Sequence, residues 1–568
     1  MEQQATRNIS SERELIVITE ESIGLRSAQA TISSTTGANI APLASFLNAE
    51  NIVLTLLFGE TEEKLQAAAS AITPDLSTYY RVQANDDRLD TLAEQLLQID
   101  GVAAAYVKPA SEPPIWLEES SVAEEEIPAI TPDFTARQGY LDSAPGGIDA
   151  RYAWTQPGGG GAGVNIIDIE GAWRFSHEDL LQNQGGVVGG VASTDIGWRN
   201  HGTAVIGEFG GDRNTKGITG ISPDAHVSAV SIFGPETSSA RAIREAADKL
   251  RPGDIILLEL HRPGPQFNFA GRADQRGYIA IEWWPDDFDA IRYAVSKGVI
   301  VVEAAGNGAE NLDDPVYETR PAGFPTSWLN PFRRNNRDSG AVVVGAGAPP
   351  PGTHGNDHGP DRSRLGFSNW GALVDAQGWG REVTTAGYGD YHRGENASNE
   401  DEWYTDRFSG TSSASPIVVG ALASTQGVLK ARGRIPLSPA RARELLRHTG
   451  SPQQDALPDR LRTQRIGNRP NLRQLIATAL QTNSWIGVQF TGTLQANQTG
   501  RWFTFGWPAH WHVVWTVVPT SPQSGAPQIE WKVQVERATD SHVTYWINVT
   551  NLTASTVNIE GRFAVLGW

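Results

Sequence analysis

Between residues 133 and 482 short apolar runs recur: "GVNIID", "HVSAVSI", "DIILLEL", "GVIVVEA" and "GAVVVGA". They are β-branched and lack polar alternation, the pattern of strands covered on both faces. Helical stretches such as "SARAIREAADKL" and "FDAIRYAVSKG" lie between them. Strands alternating with helices predict a parallel α/β sheet. Residues 1–109 have another texture. There "ELIVIT", "NIVLTLLFG", "STYYRVQA" and "GVAAAYVKP" read as strands, and "ETEEKLQAAASAI" and "RLDTLAEQLLQID" as helices. This order predicts a small α+β domain. Residues 110–132, "ASEPPIWLEESSVAEEEIPAITP", have the Pro- and Glu-rich composition of an acidic linker. From 483 to 568, "WFTFGWP", "WHVVWTVV", "IEWKVQVE" and "VTYWINVT" alternate with period two, which predicts an antiparallel β-sandwich.

Composition narrows the function classes. The chain of 568 residues carries 46 Lys and Arg against 65 Asp and Glu, a formal charge of −19. Nucleic-acid binding rests on basic patches, so that class is not expected. There is no cysteine, which excludes disulfide scaffolds, thiolate metal sites and Cys nucleophiles. The start, "MEQQATRNISSERELIVITE", shows no basic region followed by an apolar run, so no secretory signal is expected. No uncharged apolar run reaches membrane-spanning length. The expectation is a soluble protein, cytoplasmic by default, with secretion by another route left open.

Four residues at the ends of expected elements carry candidate chemistry. Asp168 ends "GVNIID", His201 opens "HGTAVIGEFGG", Asn307 ends "GVIVVEAAGN", and Ser412 sits in "FSGTSSASPIVVGALAS" before a strongly apolar helix. In a parallel α/β sheet ligands gather beyond the carboxyl ends of the strands. Asp, His and Ser are the parts of a nucleophilic triad, in which serine attacks, histidine takes its proton and aspartate orients the imidazole. Each residue alone has a plainer reading: a cap for Asp168 or Ser412, a structural histidine, a turn at Asn307-Gly308. Their joint occurrence in this order favours the catalytic one.

These segments resemble the signature blocks of the subtilisin-like serine proteases: "IID" with "SHEDL", "HGTAVIG", "VVEAAGNG" and "FSGTSSASPIVVGALA". The resemblance implies a subtilisin-like catalytic domain over 133–482, Asp168 as orienting acid, His201 as base, Ser412 as nucleophile and Asn307 as oxyanion donor. It implies that Glu259, Leu260, His261 and Arg262, with Ala305 and Gly306, line the substrate. It requires no cofactor for the chemistry. It also implies a structural calcium, for which Asp179 and Asn214 are the candidate ligands. The N-terminal domain resembles the family's ferredoxin-like inhibitory prodomain, which implies a proenzyme cut between about 107 and 135.

The pattern is not followed throughout. Asp168-Ile169-Glu170 stands where the family shows Asp-Ser/Thr-Gly, and Ala204 where it shows a second histidine. Glu259, His261 and Arg262 replace small residues of the substrate-binding strand, which suggests a selective protease. Residues 264–286 and 311–338 look inserted. Glu170 also keeps open a sedolisin-like arrangement. The tail holds eight of the eighteen tryptophans, read as core or as a platform for a glycan or protein partner. The alternative function is a catalytically silent scaffold of the same fold; a general esterase is a third.

Overall fold

The computed structural model describes residues 11–28, 31–69, 74–114, 130–481, 485–509, 511–521, 524–539 and 542–567. Most of the expected acidic linker, 115–129, lies outside them. Two compact units form, 1–479 and 480–568. The first three stretches expected from the sequence thus belong to one unit.

Its centre is a seven-stranded parallel sheet. Across the sheet the strands run Ala376–Trp379, Val342–Gly347, Ile300–Ala304, Ile255–Leu258, Asn165–Glu170, His226–Ser231 and Gln184–Gly189. The five Ile- and Val-rich runs supply its inner strands, and their side chains are buried on both faces. Two helices carry candidate residues. Ile196–Gly210 is capped by Asp195, whose carboxylate accepts from the N–H groups of Gly197 and Trp198. Ser415–Ala431 is buried over nearly its whole length and packs against Ile196–Gly210. Its first turn tolerates Pro416, because an N–H there has no partner within the helix.

The N-terminal region forms a four-stranded antiparallel sheet, ordered Leu54–Leu56, Tyr79–Val82, Glu14–Thr19, Val102–Lys108. Strand alternation gives it two apolar faces. Leu15, Val17, Tyr80 and Val82 pack against the helices Ala41–Glu50 and Leu89–Leu96. Ile16, Ile18, Tyr79 and Tyr106 face the other way and join the core that holds Trp283, Phe324 and Trp328. The two inserted-looking segments therefore build the platform on which this sheet sits. Residues 264–286 provide Trp283 and Trp284, and 311–338 provide Phe324 and Trp328.

Charge is buried at the same junction. Lys108, fully buried, is bonded to Asp286 and lies 3.4 Å from both Asp287 and Glu14. The Tyr106 hydroxyl donates to Asp286 at 2.9 Å, and the Tyr79 hydroxyl to Asp289 at 2.6 Å. Asp286 and Asp287 occupy the first turn of the Pro285–Ser296 helix, where the dipole favours negative charge. Removing one member of such a cluster leaves the others buried and unpaired. Lys108→Met is expected to weaken the seating of the N-terminal sheet by about 3–5 kcal/mol. Limited proteolysis of the intact chain would show it as cleavage within residues 14–108 at lower protease concentration.

The second unit has two three-stranded antiparallel sheets. Trp507, Trp515, Ile547, Val549 and Val565 fill the space between them. This is the expected sandwich. Among the described residues no helix is long and apolar enough to cross a membrane.

Candidate active site

The strand Asn165–Glu170 ends with two carboxyls on one face, because side chains at i and i+2 point the same way. Both are fully buried. They have different partners. The Trp173 indole N–H donates to Asp168 Oδ2 at 2.7 Å, whereas Glu170 Oε2 lies 2.7 Å from His201 Nδ1. The sequence expectation that Asp168 orients the imidazole is therefore corrected: Glu170 is the carboxyl in contact with His201. The expected Asp block lacks the small residues that would follow Asp168, and Glu170 reaches one longer side chain further along the same face.

The two carboxyls interact, and burial raises both well above the usual range. The Glu170 charge adds to the rise of Asp168, while a hydrogen bond from Asp168 opposes that of Glu170. The two carboxyls therefore act on each other in opposite senses, beneath a larger common effect of burial. Burial lowers the His201 imidazole to about 3, against the pull of neighbouring Asp168. The ring is neutral at ordinary pH, as a general base must be. Its Nε2 is buried and makes no hydrogen bond among the described residues.

Ser412 lies just ahead of the Ser415–Ala431 helix and is fully buried. Its hydroxyl donates to the carbonyl oxygen of Pro114 at 2.5 Å. Asn307 Oδ1 accepts from the N–H of Thr411 at 2.9 Å and from its hydroxyl at 3.0 Å. That leaves the Asn307 Nδ2 group as the donor end. Gly410, at φ 111°, makes the approach possible: a Cβ there would fall 2.2 Å from the Pro114 oxygen and 3.2 Å from Asn307 Nδ2. Serine hydroxyl, amide donor and a peptide carbonyl thus converge on one point.

The peptide that delivers this carbonyl is Ser111–Pro114, following the last strand of the N-terminal sheet. Glu112 pairs antiparallel with His261: each N–H donates to the other's carbonyl at 3.1 Å. This is strand addition onto the segment expected to bind substrate. The backbone of His261 does the pairing, and the neighbouring side chains turn elsewhere. Glu259 accepts from the Ser415 hydroxyl at 2.5 Å beneath the cleft, and Leu260 is core. Arg262 is buried against Pro109, Ser239 and Asp287. The expectation that the side chains of Glu259, Leu260 and Arg262 line the substrate is corrected on these contacts. The carbonyls of Ala305 and Gly306 accept from Asn369, at 2.7 and 3.0 Å. They hold the loop that carries Asn307. Gly306, at φ 96°, would press a Cβ to 2.8 Å from Asn369 Nδ2. Thr411, Asn369, Gln275 and Tyr278 were not singled out in the sequence; nothing in their local pattern marks them.

A family model described as the subtilase family matches residues 189–468, which include His201, Asn307 and Ser412. Residues 189–468 form a subtilase-family domain. This is a family of serine proteases, and the large parallel sheet fits its catalytic domain. The match begins beyond Glu170, so the orienting acid of this subtilase rests on geometry alone. A subtilisin of Bacillus sp. (strain TA39) is 30% identical over 185 residues, 29% of this chain and 39% of the relative. Thermitase of Thermoactinomyces vulgaris is 29% identical over 314 residues, 53% of this chain and 85% of the relative. Among solved structures, fervidolysin of Fervidobacterium pennivorans superposes with a TM-score of 0.47 at 15% identity. The superposition covers 96% of this chain and 70% of that one.

The calcium expectation does not fit the residues. Asp179 and Asn214 do meet, but Asp179 Oδ1 accepts from the Asn214 amide at 2.6 Å. Its Oδ2 accepts from the Ile218 N–H at 2.7 Å and the Tyr404 hydroxyl at 2.9 Å. Asn214 Oδ1 accepts from the Lys216 N–H at 2.8 Å. These oxygens face donors, and the nearby Glu178 is bonded to the Lys216 ammonium. Among the described residues no group of three or more His, Asp or Glu could hold a metal ion.

Removing an oxyanion donor typically costs about 10²–10³ in kcat. Asn307→Ala is expected to lose that much, with KM within about threefold of the parent. Steady-state kinetics on one peptide substrate would measure both.

Proposed function

We propose that this subtilase is a serine endopeptidase made as a proenzyme, and that the first bond it cuts is its own Pro114–Ile115. One observation carries the reading: the Pro114 carbonyl lies against the Ser412 hydroxyl, presented on an antiparallel strand. The chemistry follows from the side chains around it. Ser412 Oγ attacks the Pro114 carbonyl carbon while His201 Nε2 takes its proton. Glu170 holds Nδ1–H and balances the imidazolium charge. Asn307 Nδ2 donates to the oxyanion. His201 then returns the proton to the Ile115 nitrogen as the C–N bond breaks, leaving an acyl ester on Ser412. Water activated by His201 hydrolyses it.

The same geometry supports the N-terminal domain as inhibitor of its own enzyme. After cleavage, Ser111–Pro114 still fills the cleft and the sheet stays seated on Trp283, Phe324 and Asp286. Activity toward other peptides then waits for its departure. Selectivity is supported by the inserted residues that surround this segment. The sandwich unit supports a binding role: Phe503 and Phe505 are 59% and 75% exposed, with Trp546 5.1 Å from Phe503. Such a row of rings suits a sugar face.

Two measurements test the main reading. A fluorophosphonate probe is expected to label Ser412 in the processed protein. Terminal sequencing of the large fragment is expected to begin at Ile115. Failure to label would leave the silent scaffold as the better description.

A further inference from the structure

Resting on the proposed self-cleavage, we infer that this protease selects peptides with glutamate, or its isostere glutamine, three residues before the cut bond. Tyr278 and Gln275 are the residues that read it. Counting back from the attacked carbonyl, Pro114 is first and Glu112 third. The backbone of Glu112 is held by His261, which any residue would satisfy. Its side chain is held separately. The Tyr278 hydroxyl donates to Glu112 Oε1 at 3.1 Å, and Gln275 Nε2 lies 3.4 Å from Oε2.

Both donors are set in orientation by the protein. The Arg272 N–H donates to the Tyr278 oxygen at 3.0 Å, so the phenol's own hydrogen is left for Glu112. Gln275 Oε1 faces Asn307 Nδ2 at 3.4 Å, which turns the Nε2 end toward the peptide, where it also donates to Pro113 O at 3.1 Å. Gln275 is buried and sits at φ 51°, a left-handed conformation held by its N–H bond to Arg272 O at 3.0 Å. Tyr278 stands on the short strand Tyr278–Ala280, paired with His261–Pro263. Both readers thus come from the segment 264–286 that looks inserted in the sequence.

The pocket offers two neutral donors to a partner with two acceptor positions. A carboxylate satisfies both. Glutamine satisfies one and can turn its own amide toward a carbonyl. Alanine leaves both donors unpaired, and lysine brings only donors against donors. Burial of Glu112 raises its carboxyl, and the two side chains that touch it are both neutral donors. Pro113 and Pro114, both buried, have no N–H to satisfy, so the cleft asks for no backbone donor at those two positions.

The test uses the processed protein and fluorogenic peptides built on Ser-Glu-Pro-Pro-Ile, with Gln, Ala or Lys in place of the glutamate. Expected kcat/KM values are similar for Glu and Gln, about 10- to 100-fold lower for Ala, and lower again for Lys. Tyr278→Phe is expected to shrink the Glu-to-Ala ratio several-fold. Gln275→Glu is expected to reverse the Glu-to-Lys order, a gain that misfolding cannot produce. Equal rates on Glu, Ala and Lys peptides by a protein that the fluorophosphonate labels would overturn this inference alone. Absence of labelling, with no peptide cut, would overturn the protease reading beneath it.

Discussion

Ser412→Ala is expected to remain a single chain of full length, take up no fluorophosphonate, and lose about six orders of magnitude in peptide turnover. The size follows from the division of labour. The hydroxyl is the atom that bonds to the substrate carbon; without it only the oxyanion donors and the bound geometry are left. Folding is not at stake, since among the described residues the Ser412 hydroxyl bonds only to Pro114, in the segment proposed to leave. The parent chain is the control, expected to be cut to begin at Ile115. Mixing the variant with processed parent separates two routes. Cutting in trans would show that another molecule can reach the Pro114–Ile115 bond. Resistance would show that the bond is processed only from within. A variant that is processed in isolation would remove Ser412 from the mechanism.

Glu170→Gln and Asp168→Asn are expected to differ by about three orders of magnitude in kcat, on the scale set by triad variants. Glu170 is the carboxyl 2.7 Å from His201 Nδ1, whereas Asp168 is bonded to Trp173. An amide there cannot balance the imidazolium and can present its N–H₂ to the ring, selecting the wrong tautomer. The comparable change in a serine protease triad costs about 10⁴ in kcat. Asp168 is bonded to Trp173, and an asparagine in its place has the same shape and keeps an acceptor oxygen. The amide oxygen can accept from Trp173 as Asp168 Oδ2 does at 2.7 Å, and the amide N–H₂ can donate to Glu170. The expected loss from Asp168→Asn is within about tenfold. The readout is kcat at fixed pH, with fluorophosphonate titration of active sites to correct for folding. If Asp168→Asn proves the crippling change and Glu170→Gln the mild one, the assignment of the acid is wrong.

The architecture was readable from local pattern where one pattern has one physical solution. Five apolar runs separated by amphipathic helices can bury themselves only in a covered parallel sheet. Period-two segments after residue 482 likewise led to a sandwich, with Trp507 and Trp515 inside it. His201, Asn307 and Ser412 were legible because each is locked to small neighbours that a close approach demands. Gly410 beside Pro114 is the clearest case.

Long-range contact chose wherever local pattern allowed two outcomes. Asp168 and Glu170 share a strand face, so nothing in "DIE" says which will meet the histidine. The Trp173 indole occupies one, and His201 is left to the other. Asp179 and Asn214 have the chemistry of cation ligands, yet the Ile218 and Tyr404 donors arrived first. Glu259 and Arg262 were expected beside substrate, but the cleft uses the edge of their strand while the side chains follow the interior. The amino-acid order alone therefore sufficed for strands, helices and the chemical groups on offer, since those depend on neighbours a few residues away. Which groups face one another was decided when segments as distant as Pro114, His261 and Ser412 met, because a hydrogen bond is set by proximity in space and carries no trace in the spacing along the chain.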